Sequence, residues 1–179
     1  IKRCIHTSAD FDYADNLVFS EHAVSHTVEA LKTGVSIITD TNMAKAGINK
    51  RVLGRFGGEV LNFMTDPDVA AEAKERGITR SAVCMERGAA LRKPLIYAVG
   101  NAPTALIRLY EMLEEGTMVT PTLIVGVPVG FVNVVESKEL ILRRTDVPYI
   151  VARGRKGGSN IAACICNALL YLASNNERA

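Results

Sequence analysis

The sequence predicts one doubly wound α/β domain: three layers, α/β/α, around a mainly parallel five-stranded sheet of flavodoxin-like plan. Two observations carry this reading. Short, near-continuous apolar runs alternate with helix-period segments along the whole chain, as in a parallel sheet buried on both faces. Each apolar run is followed by a loop rich in Gly, Pro, Asn, Asp or Thr, and no repeat, linker or low-complexity stretch interrupts the alternation. The 179 residues fit one domain of the usual ~100–200 residues. A hydrophobic content of 48% fills a core without disulfide or metal staples. The domain is read as spanning residues 1–179.

The elements follow in order. A polar stretch, "IHTSADFDYADNL" (5–17), opens the chain, and Ser20 is a candidate cap for the helical "EHAVSHTVEALKTG". "VSIIT" (35–39) is the first predicted strand and "EVLNFM" (59–64) the second. Asp66 and Pro67 open the helix "DPDVAAEAKERG", with a cap residue, proline in the first turn and glycine at the stop. "TRSAVCMERGAALR" extends this helical region. "PLIYAVG" (94–100) is the third strand, and Asn101 precedes the helix "APTALIRLYEMLEEG". "TLIVGV" (122–127) is the fourth strand. It leads to the helix "FVNVVESKELILRR" (131–144), whose last turn holds cations, where the helix dipole favours them. "VPYIVA" (147–152) is the fifth strand, and Ser159 or Asn160 starts the final helix. The expected strand order is 2-1-3-4-5.

Composition excludes several classes. The net charge is +2 and no basic stripe is visible, which argues against nucleic acid as a partner. The longest apolar runs have strand length, so no membrane-spanning helix is expected, nor is a secretory leader. Four scattered cysteines, Cys4, Cys84, Cys164 and Cys166, read as small buried hydrophobes in a reducing cytoplasm. Cys164 and Cys166 point about 200° apart on a helix and cannot easily share a bond or a metal. His22 and His26 are four apart, a spacing that can bind zinc, but no third ligand is evident and a solvated helix face is the better reading. No HExxH, CxxC or GxSxG occurs, so no metal site and no hydrolase elbow is predicted.

Open α/β sheets bind ligands beyond the carboxyl ends of their strands. There the sequence places "TDTNMAKAG", "TDPD", "GNAPTA", "GVPVGF" and "RGRKGGSN", five loops that suggest one broad pocket. The last can hold an anion: its glycines allow close backbone approach, the next helix offers free N–H groups, and Arg155 can grip a carboxylate with two parallel bonds. A glycine-rich turn with a solvated Arg–Lys pair is the bland alternative. His6 is a candidate proton donor, because Asp10, Asp12 and Asp15 follow it and would stabilise a charged imidazole. The bland alternative is a structural histidine near a helix start. Asn101 with Thr104, and Arg80 with Ser81, are either ordinary caps or holders of carboxylates.

Six blocks, "IHTSADFDYADNL", "TDTNMAKAGINKR", "GITRSA", "GNAPTALIRL", "VGVPVGFVNVVESKE" and "GRKGGSNIAACICNALLYL", together resemble the precorrin-8 methylmutase family of cobalamin biosynthesis. They run in order over nearly all of the chain, and the first resembles the cobalt-precorrin-8 branch of the anaerobic pathway. The resemblance implies an isomerase that moves a methyl group from C11 to C12 of a corrin-precursor macrocycle, with no methyl donor and no cofactor, any cobalt being carried by the substrate. It implies His6 as the acid, with Thr7 and Ser8 beside it. Asp40, Thr41 and Met43 would bind substrate from the first loop, and Arg80 and Ser81 would hold a side-chain carboxylate. Asn101, Pro103 and Thr104 would line the third loop, Pro128, Gly130 and Phe131 the fourth, and Arg155, Lys156 and Gly157 the fifth. A cytoplasmic homodimer is implied, as is a family N-terminal segment that would precede the histidine block and that this sequence, beginning at Ile1, lacks. Two weaker readings are a non-catalytic tetrapyrrole carrier using the same pocket and, from architecture alone, a nucleotide or flavin binder.

Overall fold

A computed structural model describes residues 1–175, so the last four residues of the predicted domain lie outside the described part. Its strands are β1 (Leu17–Phe19), β2 (Ile37–Thr39), β3 (Val60–Leu61), β4 (Ile96–Val99), β5 (Leu123–Gly126) and β6 (Tyr149–Ala152). They form one sheet in the order β1-β6-β5-β4-β2-β3. The five predicted strands are all present, mutually parallel, and in the expected order. The sixth, β1, pairs antiparallel with β6 and was not predicted. It is three residues long and its "LVF" sits between two polar segments, too brief for a period to show.

The helices are α1 (Lys2–Ser8), α2 (Tyr13–Asn16), α3 (Ala23–Lys32), α4 (Asn42–Gly47), α5 (Lys50–Arg55), α6 (Pro67–Arg76), α7 (Arg80–Ala90), α8 (Pro103–Glu114), α9 (Val134–Leu142) and α10 (Ser159–Ala173). Alternate strand residues feed opposite faces of the sheet, as a period of two requires. Ile37, Ile96, Ala98 and Ile150 pack with α1, α3, α4, α5 and α10. Ile38, Tyr97, Val99 and Val151 pack with α6 to α9. The result is the expected three layers. The centre of the first layer is α10, which buries Ile161, Ile165, Leu169 and Leu170 against the sheet and its neighbours. Each such side chain contributes about 1.5–3 kcal/mol.

Local chemistry explains where sequence reading and structure part. The loop predicted after the first strand is helical: Thr41 Oγ1 accepts from the Ala44 amide at 3.1 Å and starts α4, and Asn49 Oδ1 accepts from Val52 at 3.1 Å and starts α5. "TRSAVCMERGAALR" is a separate helix, not an extension, because Gly77 takes a left-handed turn (φ 64°) and Thr79 caps α7 anew. Ser20 does not cap α3; its Oγ accepts from the Tyr149 amide at 2.9 Å and ties the β1 edge to β6. The second strand ends early because Asn62, buried, donates its side-chain amide to the Thr39 carbonyl at 2.7 Å and accepts from Met64 N–H at 3.1 Å. The ninth helix starts three residues later than expected, after Asn133 in a left-handed conformation.

The carboxyl end of β4 runs directly into the first turn of α10. A Cβ on Gly100 would lie 2.6 Å from Ser159 Cα and 2.9 Å from its backbone nitrogen. These are backbone atoms and cannot rotate away. Gly100→Ala is therefore expected to cost about 1–3 kcal/mol, read as a lower urea midpoint at unchanged slope. An unchanged midpoint would show that β4 and α10 can part without loss.

Candidate active site

Strand β2 connects outward to β3, while β4 connects the other way to β5, so the winding reverses between them. The helices that follow, α4 and α8, leave toward opposite faces. This is the switch point at which open α/β sheets form a crevice. A cavity of about 470 Å³ lies there, lined by Asp40, Thr41, Asn42, Met64, Thr65, Thr79, Arg80, Ser81, Asn101, Ala102 and Thr104.

Six of the predicted residues meet at this cavity: Asp40, Thr41, Arg80, Ser81, Asn101 and Thr104. Their roles differ. The Asp40 side chain is 1% exposed and accepts the backbone amides of Gly100 (2.9 Å), Asn101 (2.7 Å) and Ala102 (2.7 Å). Burial lifts its carboxyl above the ordinary range, and the amide donors pull the other way. Both oxygens are thus engaged in holding the β4–α8 turn, so Asp40 builds the wall of the cavity it lines. Ser81 is also buried; its Oγ lies 2.8 Å from Thr104 Oγ1 and 3.0 Å from Thr79 Oγ1. The three hydroxyls form a small cluster that can pass donors to an oxygen ligand. Arg80, in the first turn of α7, is exposed at the rim and supplies the cavity's positive charge.

His6 is elsewhere. It lies in the last turn of α1, exposed, on a shallow groove of about 290 Å³ with Lys2, Arg3, Thr7 and Cys164. Among the described residues nothing hydrogen-bonds its imidazole. Two of the three carboxylates expected to act on it are engaged elsewhere: Asp10 and Asp12 pair with Lys156, the former at 2.6 Å. That bond holds the Asp10 carboxyl below the usual carboxylate range. An adjoining groove of about 320 Å³ shares Arg3, Thr7 and Cys164 and continues to Gly47, Asn160 and Asn167. At the N-terminal turn of α10, Ser159 Oγ lies 2.8 Å from Thr41 Oγ1, a residue of the switch-point cavity, and the next residue, Asn160, lines this groove. Ser8 turns back on its own helix, its Oγ donating to the Cys4 carbonyl at 2.8 Å.

The fifth loop corrects the anion-cradle reading in three places. Lys156 is neutralised by Asp10 and Asp12. Gly157 is small for a neighbour and not for a ligand: a Cβ there would stand 2.1 Å from the Val127 carbonyl oxygen. The Gly158 amide is spent on that same carbonyl at 2.9 Å. Arg153, also exposed, pairs with Glu139 at 3.1 Å, and among the described residues Arg155 is the cation of this loop without an ion pair. Met43 (70% exposed) and Phe131 (87% exposed) point to solvent, Pro128 is buried, and these three, with Pro103 and Gly130, line none of the concavities described.

Sequence reasoning missed Lys138. It is fully buried, and its Nζ donates to the carbonyls of Gly154 (2.7 Å) and Lys156 (2.8 Å), fastening the fifth loop to α9. Its only sign was a lysine at an apolar position of the α9 pattern, "VVESKELIL". The His22 side chain pairs with Glu21 at 3.2 Å, and His26 lines a groove at the opposite, amino end of the sheet with Pro94, Thr122 and Pro148.

A family model described as precorrin-8X methylmutase matches residues 1–172. The chain is 50% identical over 172 residues to the cobalt-precorrin-8 methylmutase of Salmonella typhimurium, covering 96% of this chain and 79% of that one. It is 41% identical over 168 residues to the precorrin-8X methylmutase of Pseudomonas aeruginosa, covering 93% and 80%. The crystal structure of a precorrin-8X methylmutase from Thermus thermophilus superposes with a TM-score of 0.87 at 37% identity, covering 98% of this chain and 85% of that one.

Burial pushes the Lys138 amine down to about 8, against an ordinary lysine value of about 10.4. Between these values the unfolded chain holds more proton than the folded one, so this group makes stability rise with pH across that window. The stability difference between the wild type and Lys138→Met is expected to widen in favour of the wild type from about pH 8 to about pH 10.4, measured by urea titration. A constant difference would show that the buried amine keeps its proton.

Proposed function

The chain belongs to the precorrin-8X methylmutase family and is an isomerase of cobalamin biosynthesis, and from that premise we propose that it moves the C11 methyl of cobalt-precorrin-8 to C12, with His6 as the proton donor. The observation that carries this reading is the family match across 172 residues, joined to a free imidazole at an open groove. The higher identity to a relative named for the cobalt form supports the cobalt-bearing macrocycle as substrate. The metal is then part of the substrate, and the reaction needs no cofactor because the methyl never leaves the molecule. The carrier reading is not favoured, since the relatives are named for the methylmutase.

The chain's own residues have three tasks. Arg80, with the hydroxyls of Thr79, Ser81 and Thr104, holds a peripheral carboxylate in the switch-point cavity. Lys2 and Arg3 add positive charge beside the second groove, which suits a ligand fringed with acetate and propionate groups. His6 gives its proton to a ring nitrogen, which makes the conjugated system electron-poor and eases a suprafacial [1,5] methyl shift. Positioning the macrocycle across both concavities supplies much of the rate. A cytoplasmic homodimer is part of the same reading, supported by the exposed apolar side chains Val129, Phe131 and Val132 on the fourth loop, which a second copy would cover.

His6→Ala is expected to lower turnover by about 10²–10⁴-fold while leaving the affinity for cobyrinic acid, followed by visible absorbance, within a few-fold of wild type. Full turnover by this variant would remove His6 from the chemistry. Arg80→Ala is expected to behave the other way, weakening product binding by about 10–100-fold. Unchanged affinity would separate the switch-point cavity from the substrate.

A further inference from the structure

The four cysteines occupy two different environments. Cys84 and Cys166 are buried among apolar neighbours, and burial pushes both thiols up, to about 11 and about 12. Such thiols are inert. Cys164 is different. It sits on the face of α10 that meets α1, and its sulfur borders both grooves beside His6, which total several hundred cubic ångströms open to solvent. Thr7 Oγ1 donates to Cys164 Sγ at 3.3 Å. Cys4 lies three residues before Thr7, on the same face of α1, and Cys164 packs against the buried cluster to which Cys4 belongs. Arg3, stacked over the Tyr171 ring at 4.6 Å, keeps a guanidinium at the groove's rim. A sulfur that accepts a hydroxyl hydrogen bond at an open groove shared with a guanidinium is placed to be a thiolate.

We propose that Cys164 is a thiol modification site for hydroperoxides, with Cys4 as its resolving partner, so that oxidation ties the helix bearing His6 to α10 through a Cys4–Cys164 disulfide. Neither residue is used in the isomerase chemistry described above, so the proposal stands apart from it. The direction of the thiol equilibria agrees: the hydrogen bond from Cys4 holds Cys164 below the ordinary thiol range, helped by Thr7 and Arg3 against burial, and the same bond with burial holds Cys4 above it. Cys164 is thereby the attacking sulfur and Cys4 the proton-bearing one.

The steps balance. The Cys164 thiolate attacks the terminal oxygen of ROOH; an S–O bond forms, the O–O bond breaks, and the departing alkoxide takes a proton from water and leaves as ROH. Sulfur is oxidised to sulfenic acid as the peroxide is reduced. The Cys4 sulfur then attacks the sulfenic sulfur; the S–S bond forms, the S–O bond breaks, and the departing hydroxide leaves with the Cys4 proton as water. A second thiol compound reverses the bond by exchange.

The test uses the whole chain and hydrogen peroxide. Mild peroxide is expected to remove the mass of two hydrogens from the wild type, restored by dithiothreitol. Cys166→Ser should behave in the same way, and Cys164→Ser should not respond. Cys4→Ser should accumulate a sulfenic acid that dimedone traps on Cys164. In the unmutated protein, substoichiometric iodoacetamide should label Cys164 well ahead of Cys84 and Cys166, a readout that needs no variant to fold. Labelling of Cys164 no faster than the buried pair, an unchanged mass under excess peroxide, or a linkage lost in Cys166→Ser would each overturn the proposal.

Discussion

The carboxylate of Asp40 stands where the sheet reverses its winding, and the three backbone amides it accepts belong to the turn that leaves the neighbouring strand. Parallel strands β2 and β4 end side by side, and their chains must part toward opposite faces. The amides of Gly100, Asn101 and Ala102 then lose any ladder partner just where water is excluded. A short acidic side chain on β2 reaches all three. Taking such a carboxylate out of water costs several kcal/mol, and only a full set of donors offsets it. The crevice is therefore held open by one residue, and the groups facing it, Asn101 and Thr104 on one side and Thr41 on the other, owe their placing to that bond set.

The second constraint is closeness to α10. Its N-terminal turn fills the gap between the β4 and β5 exits, so Gly100 has no room for a side chain, and Gly157 is pressed against Val127. Further along, a Cβ on Gly47 would fall 2.9 Å from the Ala163 methyl, which brings the end of α4 against the same helix. Asn167 completes the join, accepting from the Asn49 amide and donating to the Gly47 carbonyl, each at 2.8 Å. Two of the glycines that read as ligand-loop residues, Gly47 and Gly100, are thus spacing residues for α10, and Gly157 is one for the chain leaving β5. Close packing of this kind makes the loops rigid, which is what a site that works by positioning requires.

How far the sequence could be read follows from the range of the interactions involved. The parallel strands were legible because apolar runs and turn residues are local signals, whereas their order was one choice among a few for a doubly wound sheet. Arg80, Ser81, Asn101 and Thr104, which the family blocks contain, line the switch-point cavity because they lie at or just before the starts of α7 and α8, which Thr79 as a cap and Pro103 in the first turn mark in the sequence. What was not legible depends on partners distant in sequence. The structural task of Asp40 was hidden because its three amides lie some sixty residues on, at 100–102. Lys156 looked like a free cation because Asp10 and Asp12 come from the other end of the chain. Edge strand β1 needed β6 to exist at all.

The pairing of Lys156 with Asp10 and Asp12 changes what the fifth loop is for. The ion pairs lie at the surface, where each is worth little to stability. Their geometry matters more. They join the β6–α10 loop to the segment that follows α1, while Lys138 fastens the same loop from beneath by two carbonyls. The loop is therefore gripped on both sides by charges that all belong to the protein, and its glycines accommodate β5. An anion arriving there would have to displace Asp10 and Asp12 from Lys156. Among the described residues Arg80 at the switch-point cavity, and Lys2 with Arg3 beside His6, form no ion pair with a carboxylate, so these cations stay open to an anion where Lys156 does not. The fifth loop is thus braced against the segment after α1 on one side and against α9 on the other, and the protein's own charges set its shape.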